Sequence, residues 1–531
     1  MKLRFRYILC FLCLFALWGC SGSDKTGSKA KHPSVDMSVY TDIPVLSIET
    51  KSTADNVMDF VTDPVAGHVS SAIASWTPGY VMPPEPYYEA CSVTLTDADG
   101  TVLINGANAE VKVRGNWTTN YDKKPLRIKF EESQNLLGLN DGATFKNWLL
   151  LAEYKDASML RNKTALTMAQ EIFSKDGYYV SDAELVEVII NGQYWGVYLL
   201  AEQQQVNKDR VDITEAAEGY TGTDIGYFLE FDGYFWTEDP LQQFIIDYAD
   251  NAALIPFDGN DGSGRTMKCL SDPEYGGKSD IGFSIKNDIY SQAQRDFIAS
   301  FVDKVYDIMY YAAYEGSAYV FNENYTEIQK TTDITPQEAV SRVVDVQSLA
   351  DTYILNELLC DADVYYSSFY MSVDFGPDGN KKLTFEAPWD YDSAMGNKNR
   401  CVDGTGFYAA NIVPDVNGGA NGGGDYDTIN PWLAVLMYED WFQTIIKDTW
   451  TAAYDDGVFT RALTMIKEDT ARCQNAFLRN YEKWDNIIHN DAFVFELSYE
   501  AAQCKTQKEA ADFLSRWLES RVAFLNSYWH N

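Results

Sequence analysis

Apolar and polar positions alternate with a period of two through much of the first half of the chain. In the second half the apolar positions recur every three or four residues. From Ile43 the pattern predicts strands separated by turns. Residues 43–48 and 91–95, the latter closed by Asp97-Ala98-Asp99-Gly100, form an antiparallel start. Residues 110–114 and 126–130 alternate and bracket Gly115-Asn116-Trp117-Thr118-Thr119. Residues 159–173 have helical spacing, with Leu160, Leu166 and Ala169 on one face. Residues 186–190 and 194–200 flank Asn191-Gly192 and predict a hairpin, because that pair supplies the positive φ angles of a two-residue turn.

Further on, Ile298, Phe301, Val302, Val305, Ile308 and Met309 fit one helical stripe, and Leu349, Tyr353, Ile354 and Leu358 fit another. A strand–turn–strand follows over residues 369–385, with Pro377-Asp378-Gly379-Asn380 at its turn. Helices return after Pro431, the last carrying Phe513, Trp517, Phe524 and Tyr528. The fold class is α+β, a β-rich part over residues 37–235 followed by a helix-rich part over residues 236–531. The stretch Gly418 to Gly424 reads as a loop. It lacks the preceding strand and the Gly-Lys-Ser/Thr ending of a phosphate loop.

The N-terminus changes the picture of where such a protein works. Lys2, Arg4 and Arg6 precede a short apolar run that ends at Leu17-Trp18-Gly19-Cys20. The run is too short to span a bilayer and reads as a signal peptide over residues 1–20, closed by a lipobox with Cys20 as the acylated residue. Residues 21–36 are small and polar and read as a tether. The expectation is an exported protein, lipid-anchored to the cell envelope at the outer membrane. The formal charge of −36 becomes three units more negative once the leader is gone. So acidic a surface repels nucleic acid, and no nucleic-acid partner is expected.

Candidate chemistry is narrowed by what is scarce. The four histidines (His32, His68, His489 and His530) are isolated, which leaves little material for a Ser-His-Asp triad. Six cysteines follow Cys20 (Cys91, Cys269, Cys360, Cys401, Cys473 and Cys504) without a C-x-x-C pair, so no structural zinc site is expected. Asp258-Gly259-Asn260-Asp261-Gly262 resembles a calcium loop, but Cys269 stands where the closing glutamate belongs. Acids are plentiful, and a glycosidase would need two of them at a fixed separation across a sugar cleft.

Five blocks, in order, carry a resemblance. They are Arg114-Gly115-Asn116-Trp117-Thr118 with Lys123-Lys124-Pro125-Leu126-Arg127-Ile128-Lys129-Phe130; Trp148-Leu149-Leu150-Leu151-Ala152-Glu153-Tyr154 with Asp156-Ala157-Ser158-Met159-Leu160-Arg161-Asn162; the hairpin from Asn191 to Glu202; Tyr227-Phe228-Leu229-Glu230-Phe231-Asp232; and Pro388-Trp389-Asp390-Tyr391-Asp392. Together they resemble the CotH family of spore coat protein H. That resemblance implies a bilobal kinase-like fold and an ATP- and Mg²⁺-dependent transfer of phosphate to serine or threonine of a surface protein.

Phosphoryl transfer needs a carboxylate at the acceptor and metal ligands at the phosphates. On the family's pattern Asp363 is the acceptor-side catalytic residue, and Asp390 the principal Mg²⁺ ligand, assisted by Asp392. Ser368 stands five residues after Asp363, where most kinases carry a metal-binding asparagine. Arg114, Lys124, Arg127, Lys129 and Arg161 are the candidates for nucleotide phosphates, with an inter-lobe ion pair as the alternative for Arg161. Glu171 and Glu202 are candidates for the glutamate that would hold such a lysine. The triplet Asp374-Phe375-Gly376 runs into the Pro377–Asn380 turn, which argues for a turn role and against metal binding. The competing expectation is a non-catalytic lipoprotein that binds a glycan or a partner protein.

Overall fold

The hairpin at Asn191-Gly192 anchors a closed seven-stranded barrel. Asn191 (φ 49°) and Gly192 (φ 72°) take the left-handed conformations that a tight hairpin demands. In this computed structural model, which describes residues 36–52, 56–260, 281–399, 402–414, 427–484 and 496–530 together with Ser263 and Met267, the barrel strands are seven. They are β1 (Val45–Thr50), β2 (Glu89–Thr96), β3 (Val102–Val113), β4 (Leu126–Gln134), β5 (Phe145–Leu151), β6 (Ala183–Ile190) and β7 (Gln193–Glu202). Their order is β1-β2-β3-β4-β5-β7-β6, and β6 returns to β1 in parallel to close the ring. Closure removes every edge strand. Cys20, the proposed leader, residues 21–35 of the tether, the 418–424 stretch, His32, Cys269, Cys401 and His489 lie outside the described residues.

Strand alternation divides the barrel side chains between two cores. Leu46, Ile48, Val93, Val111, Ile128, Trp148, Leu150 and Tyr198 fill the interior. Their neighbours Leu149, Leu151, Leu199 and Ala201 point outward into a second core shared with the helices. Helix Arg161–Phe173 lies on that outer side. It begins two residues later than its periodicity predicts, because the Asp156 carboxylate accepts from Leu160 N (3.0 Å) and Arg161 N (2.8 Å) and sets the start.

The second sheet has the order β14-β13-β8-β10-β9, built from β8 (Gly226–Asp232), β9 (Gln243–Phe244), β10 (Gly282–Ile285), β13 (Phe369–Asp374) and β14 (Thr384–Phe385). A separate hairpin, β11 (Ala318–Phe321) with β12 (Ile328–Thr331), precedes β13. The division at residue 235 puts β8 with the barrel, but β8 pairs with β10 and β13. Every residue of β8 is buried, as befits a central strand with both faces covered.

Helix Gln292–Glu315 carries its expected stripe and begins with a capping box at Ser291 and Gln294. Helix Val346–Leu359 differs from its expected single stripe, for it is buried on all sides from Ser348 to Leu359. No helix among the described residues is long and apolar enough to cross a membrane.

Asp374 confirms the turn role of its triplet. Its carboxylate accepts from Gly376 N (2.8 Å) and from Thr214 N and Oγ1 (3.2 and 3.0 Å), which fastens the β13–β14 turn to the segment before β8.

Candidate active site

A cleft of about 2030 Å³ runs between the barrel and the second sheet. Barrel residues Lys112, Arg114, Arg127, Leu149 and Leu151 line it, and so do Phe228, Glu230 and Asp232 of β8. Asp363, Ser368, Asp390 and Asp392 line the same space. Of the residues singled out in the sequence, six therefore meet in one cleft: Arg114, Arg127, Asp363, Ser368, Asp390 and Asp392.

The local fold explains the meeting. Helix Val346–Leu359 stops at Cys360, whose φ of 47° turns the chain out of the helix. Asp361 then accepts from Asp363 N (3.0 Å), and the Asp363 carbonyl accepts from Tyr366 N (2.8 Å) and Ser367 N (3.0 Å), making a tight loop. Ser368 (φ 60°) starts β13, and its N–H donates to Glu230 Oε1 of β8 at 3.1 Å. After β14 the chain returns through Asp390 (φ 73°), whose Oδ2 lies 3.3 Å from Ser368 Oγ. Left-handed backbone at residues other than glycine is unfavourable, and Ser368 and Asp390 are among the residues that adopt it here.

Several charges that the sequence reading passed over complete the site. Lys155, buried, approaches Asp392 Oδ1 at 3.6 Å and donates to Ser393 Oγ at 3.1 Å. Burial alone would lower the Lys155 pKa, but Asp392, Asp363 and their neighbours hold it well above its ordinary value. Lys398 lies 3.8 Å from Asp363 Oδ1. Lys286 pairs with Glu230 at 3.1 Å. Burial, with the Asp392 and Asp363 charges, raises the Asp390 pKa, while Lys155 and Arg114 oppose that rise. The only signal for Lys155 in the sequence is its place between the two halves of the second resemblance block. Lys398 and Lys286 are brought in by tertiary structure alone.

Three candidates stand elsewhere. Lys124 is buried and its Nζ donates to the Thr119 carbonyl, so it fixes the loop between β3 and β4 and does not reach the cleft. Lys129, exposed on β4, lies 5.9 Å from the Tyr88 ring. Arg161 pairs with Asp156 and donates to the carbonyls of Ala394 (3.1 Å) and Met395 (3.4 Å), a tie just beyond Asp392. The two suggested glutamates bind other partners, Glu171 with Arg461 and Glu202 with Arg210. Arg161, Glu171 and Glu202 are thus taken up by ion pairs, Lys124 by a local carbonyl, and Lys129 stays exposed.

Glu153 borders the cleft, with Oε1 accepting from Asn162 Nδ2 (2.9 Å) and a buried Oε2 that has no partner among the described residues. Asn162 Oδ1 accepts in turn from Tyr391 N (2.7 Å), which couples helix Arg161–Phe173 to the Asp390–Asp392 turn. Among the described residues no three His, Cys, Asp or Glu side chains cluster closely enough to hold a metal alone. Mg²⁺ does not require such a cage, since it binds through one or two carboxylates and fills its remaining positions with waters and substrate phosphates. Asp390, Asp392 and the Ser368 hydroxyl supply that kind of hard oxygen set.

This cleft, with paired acids on one wall and arginines on the other, belongs to a mixed α+β protein of the CotH kinase class. Residues 111–525 match the family described as CotH kinase protein, and the chain belongs to that family. No curated protein matches it.

Proposed function

We propose that this chain is a CotH-type protein kinase, which uses Mg²⁺-ATP to phosphorylate a serine or threonine hydroxyl of a surface protein. The observation that carries the reading is the convergence of Asp363, Ser368, Asp390 and Asp392 with Arg114, Arg127 and Lys155 on one cleft. The barrel and the second sheet with its helices act as the two lobes of a kinase-like arrangement. Lipidation at Cys20 would anchor the enzyme to the envelope, at the outer membrane.

The roles follow from position. Asp363, partly exposed to the cleft, orients the acceptor hydroxyl and takes its proton, with Lys398 alongside. Asp390, with Asp392 and Ser368, would hold Mg²⁺, whose charge offsets that of the phosphates when it is bound. Lys155 keeps Asp392 in place, and Arg114 supplies fixed positive charge from the barrel side.

The test is a melting-temperature titration with ATP, with and without Mg²⁺, beside a radiolabel transfer assay. Wild type should show a Mg²⁺-dependent rise and incorporate label. Asp363→Asn should keep the rise and lose transfer by a factor of at least about 10², because its carboxylate acts in the transition state. Asp390→Asn should lose the Mg²⁺-dependent rise itself. A wild type with neither shift nor label would overturn the kinase reading. Such a result would favour the second role, binding of a glycan or partner protein, for which the exposed Trp76 and Trp236 at the cleft are the supporting observation.

A further inference from the structure

Two adjacent residues that line the cleft each carry a buried side-chain atom, Gln203 Oε1 and Gln204 Nε2, with no hydrogen-bond partner among the described residues. They lie just past the end of β7, where the chain leaves the barrel. The next residue, Gln205, is engaged: its Oε1 accepts from Asn147 Nδ2 (3.3 Å) and Arg210 Nη1 (3.2 Å). Asn147 also accepts from Arg127 Nη2 (2.9 Å). One glutamine thus fixes the segment, and its two predecessors present one acceptor and one donor that no group among the described residues meets. Buried amide atoms in that state need a partner, which water or a ligand can supply.

The surroundings indicate its shape. Leu149 and Leu151 line the cleft from the barrel, and Phe228 and Tyr370 line it from the second sheet. The Phe228 and Tyr370 rings stack on each other at 5.5 Å. Leu149 pairs with Ala201 on β7, two residues before Gln203. Tyr370 pairs with Glu230, which binds Ser368 N, and Ser368 meets Asp390. An apolar region with a polar amide edge therefore adjoins the acid pair. A ligand that fits has apolar faces, a donor and an acceptor on one edge, and an anionic extension towards Arg114 and the metal-binding acids.

Resting on the phosphotransferase reading above, we infer that the side-chain amides of Gln203 and Gln204 read the base of the nucleotide. Gln203 Oε1 accepts from the 6-amino group of adenine, and Gln204 Nε2 donates to N1. Inosine, with a carbonyl at position 6 and a proton on N1, offends both amides.

The experiment is calorimetric titration of the full chain, in Mg²⁺, with ATP, inosine triphosphate and inorganic tripolyphosphate. Wild type should bind ATP about tenfold or more tightly than inosine triphosphate, the worth of a neutral hydrogen bond or two. Gln203→Leu and Gln204→Met should each erase most of that preference by weakening ATP alone. Both variants should melt at or above the wild-type temperature, because each removes an unpaired buried amide. A lower melting temperature with the ATP preference intact would make the glutamines structural and overturn the inference. So would a wild type that binds ATP and inosine triphosphate alike, and in both cases the kinase reading stands. A wild type that binds no nucleotide would overturn that reading, and this inference with it.

Discussion

Glu153 sits at the cleft wall with one carboxylate oxygen held by Asn162 and the other unpaired among the described residues. Burial first, then the charges of Asp156 and Asp392, raises its pKa from 4.5 to about 8. The folded state therefore binds this proton more tightly than the unfolded chain does. Its contribution to stability is full below pH 4.5 and is lost as pH rises through about 8. Glu153→Gln is expected to flatten that decline and to raise the melting temperature at pH 8, as read by thermal denaturation across pH 5 to 9.

At this same scale, the meeting of Asp363 and Asp390 in one cleft was legible because the sequence carries a loop acid, a hairpin and a second acid in that order. Lys398 was not, since a lysine in a loop has no pattern and only the fold brings it to within 3.8 Å of Asp363. Lys129 was misplaced for the opposite reason. Strand alternation put it on the face of Arg127 but could not show that the cleft ends before it.

Helix Val346–Leu359 is the element that delivers Asp363, and its last turn is held by a buried ion pair. Glu357 accepts from Arg521 Nη2, from Tyr408 N (2.8 Å) and from Ala409 N (2.9 Å). Arg521, fully buried on the last helix, Gln507–Trp529, also donates to the carbonyl of Gly406 (2.6 Å). Arg521→Met would leave a buried carboxylate without its cation, so urea unfolding should show a loss of about 3–5 kcal/mol. Adding Glu357→Gln should recover part of that loss, because the stranded charge is gone.

Six of the barrel strands and the Asn-Gly hairpin were readable because one face of each is apolar and their turns carry their own signals; β5 was not, because its second half, Trp148 to Leu151, is an unbroken apolar run. The sides of this helix were not readable, because an all-apolar helix has no period that says which neighbour covers which side. Nor could local pattern reveal that β8 leaves the barrel, since a strand buried on both faces gives the same run of apolar residues in either sheet.

For the whole molecule, the charge of −36 dominates. Self-repulsion opposes the compact state, and raising ionic strength from about 0.01 to 0.15 M shortens the screening length from about 30 to about 8 Å. Calorimetry should therefore record a rising melting temperature over that range, since exposed pairs such as Lys508–Asp512 contribute little that salt could remove. A ribosome releases this chain from its N-terminus, and every barrel strand falls between Val45 and Glu202. The barrel can thus close before the residues that follow it are made. The clasp on Glu357 comes from Arg521, on a helix far later in the chain. The loop bearing Asp363 is held only once helix Gln507–Trp529 has been made, so a chain cut short before that helix carries the barrel but not a braced Asp363 loop.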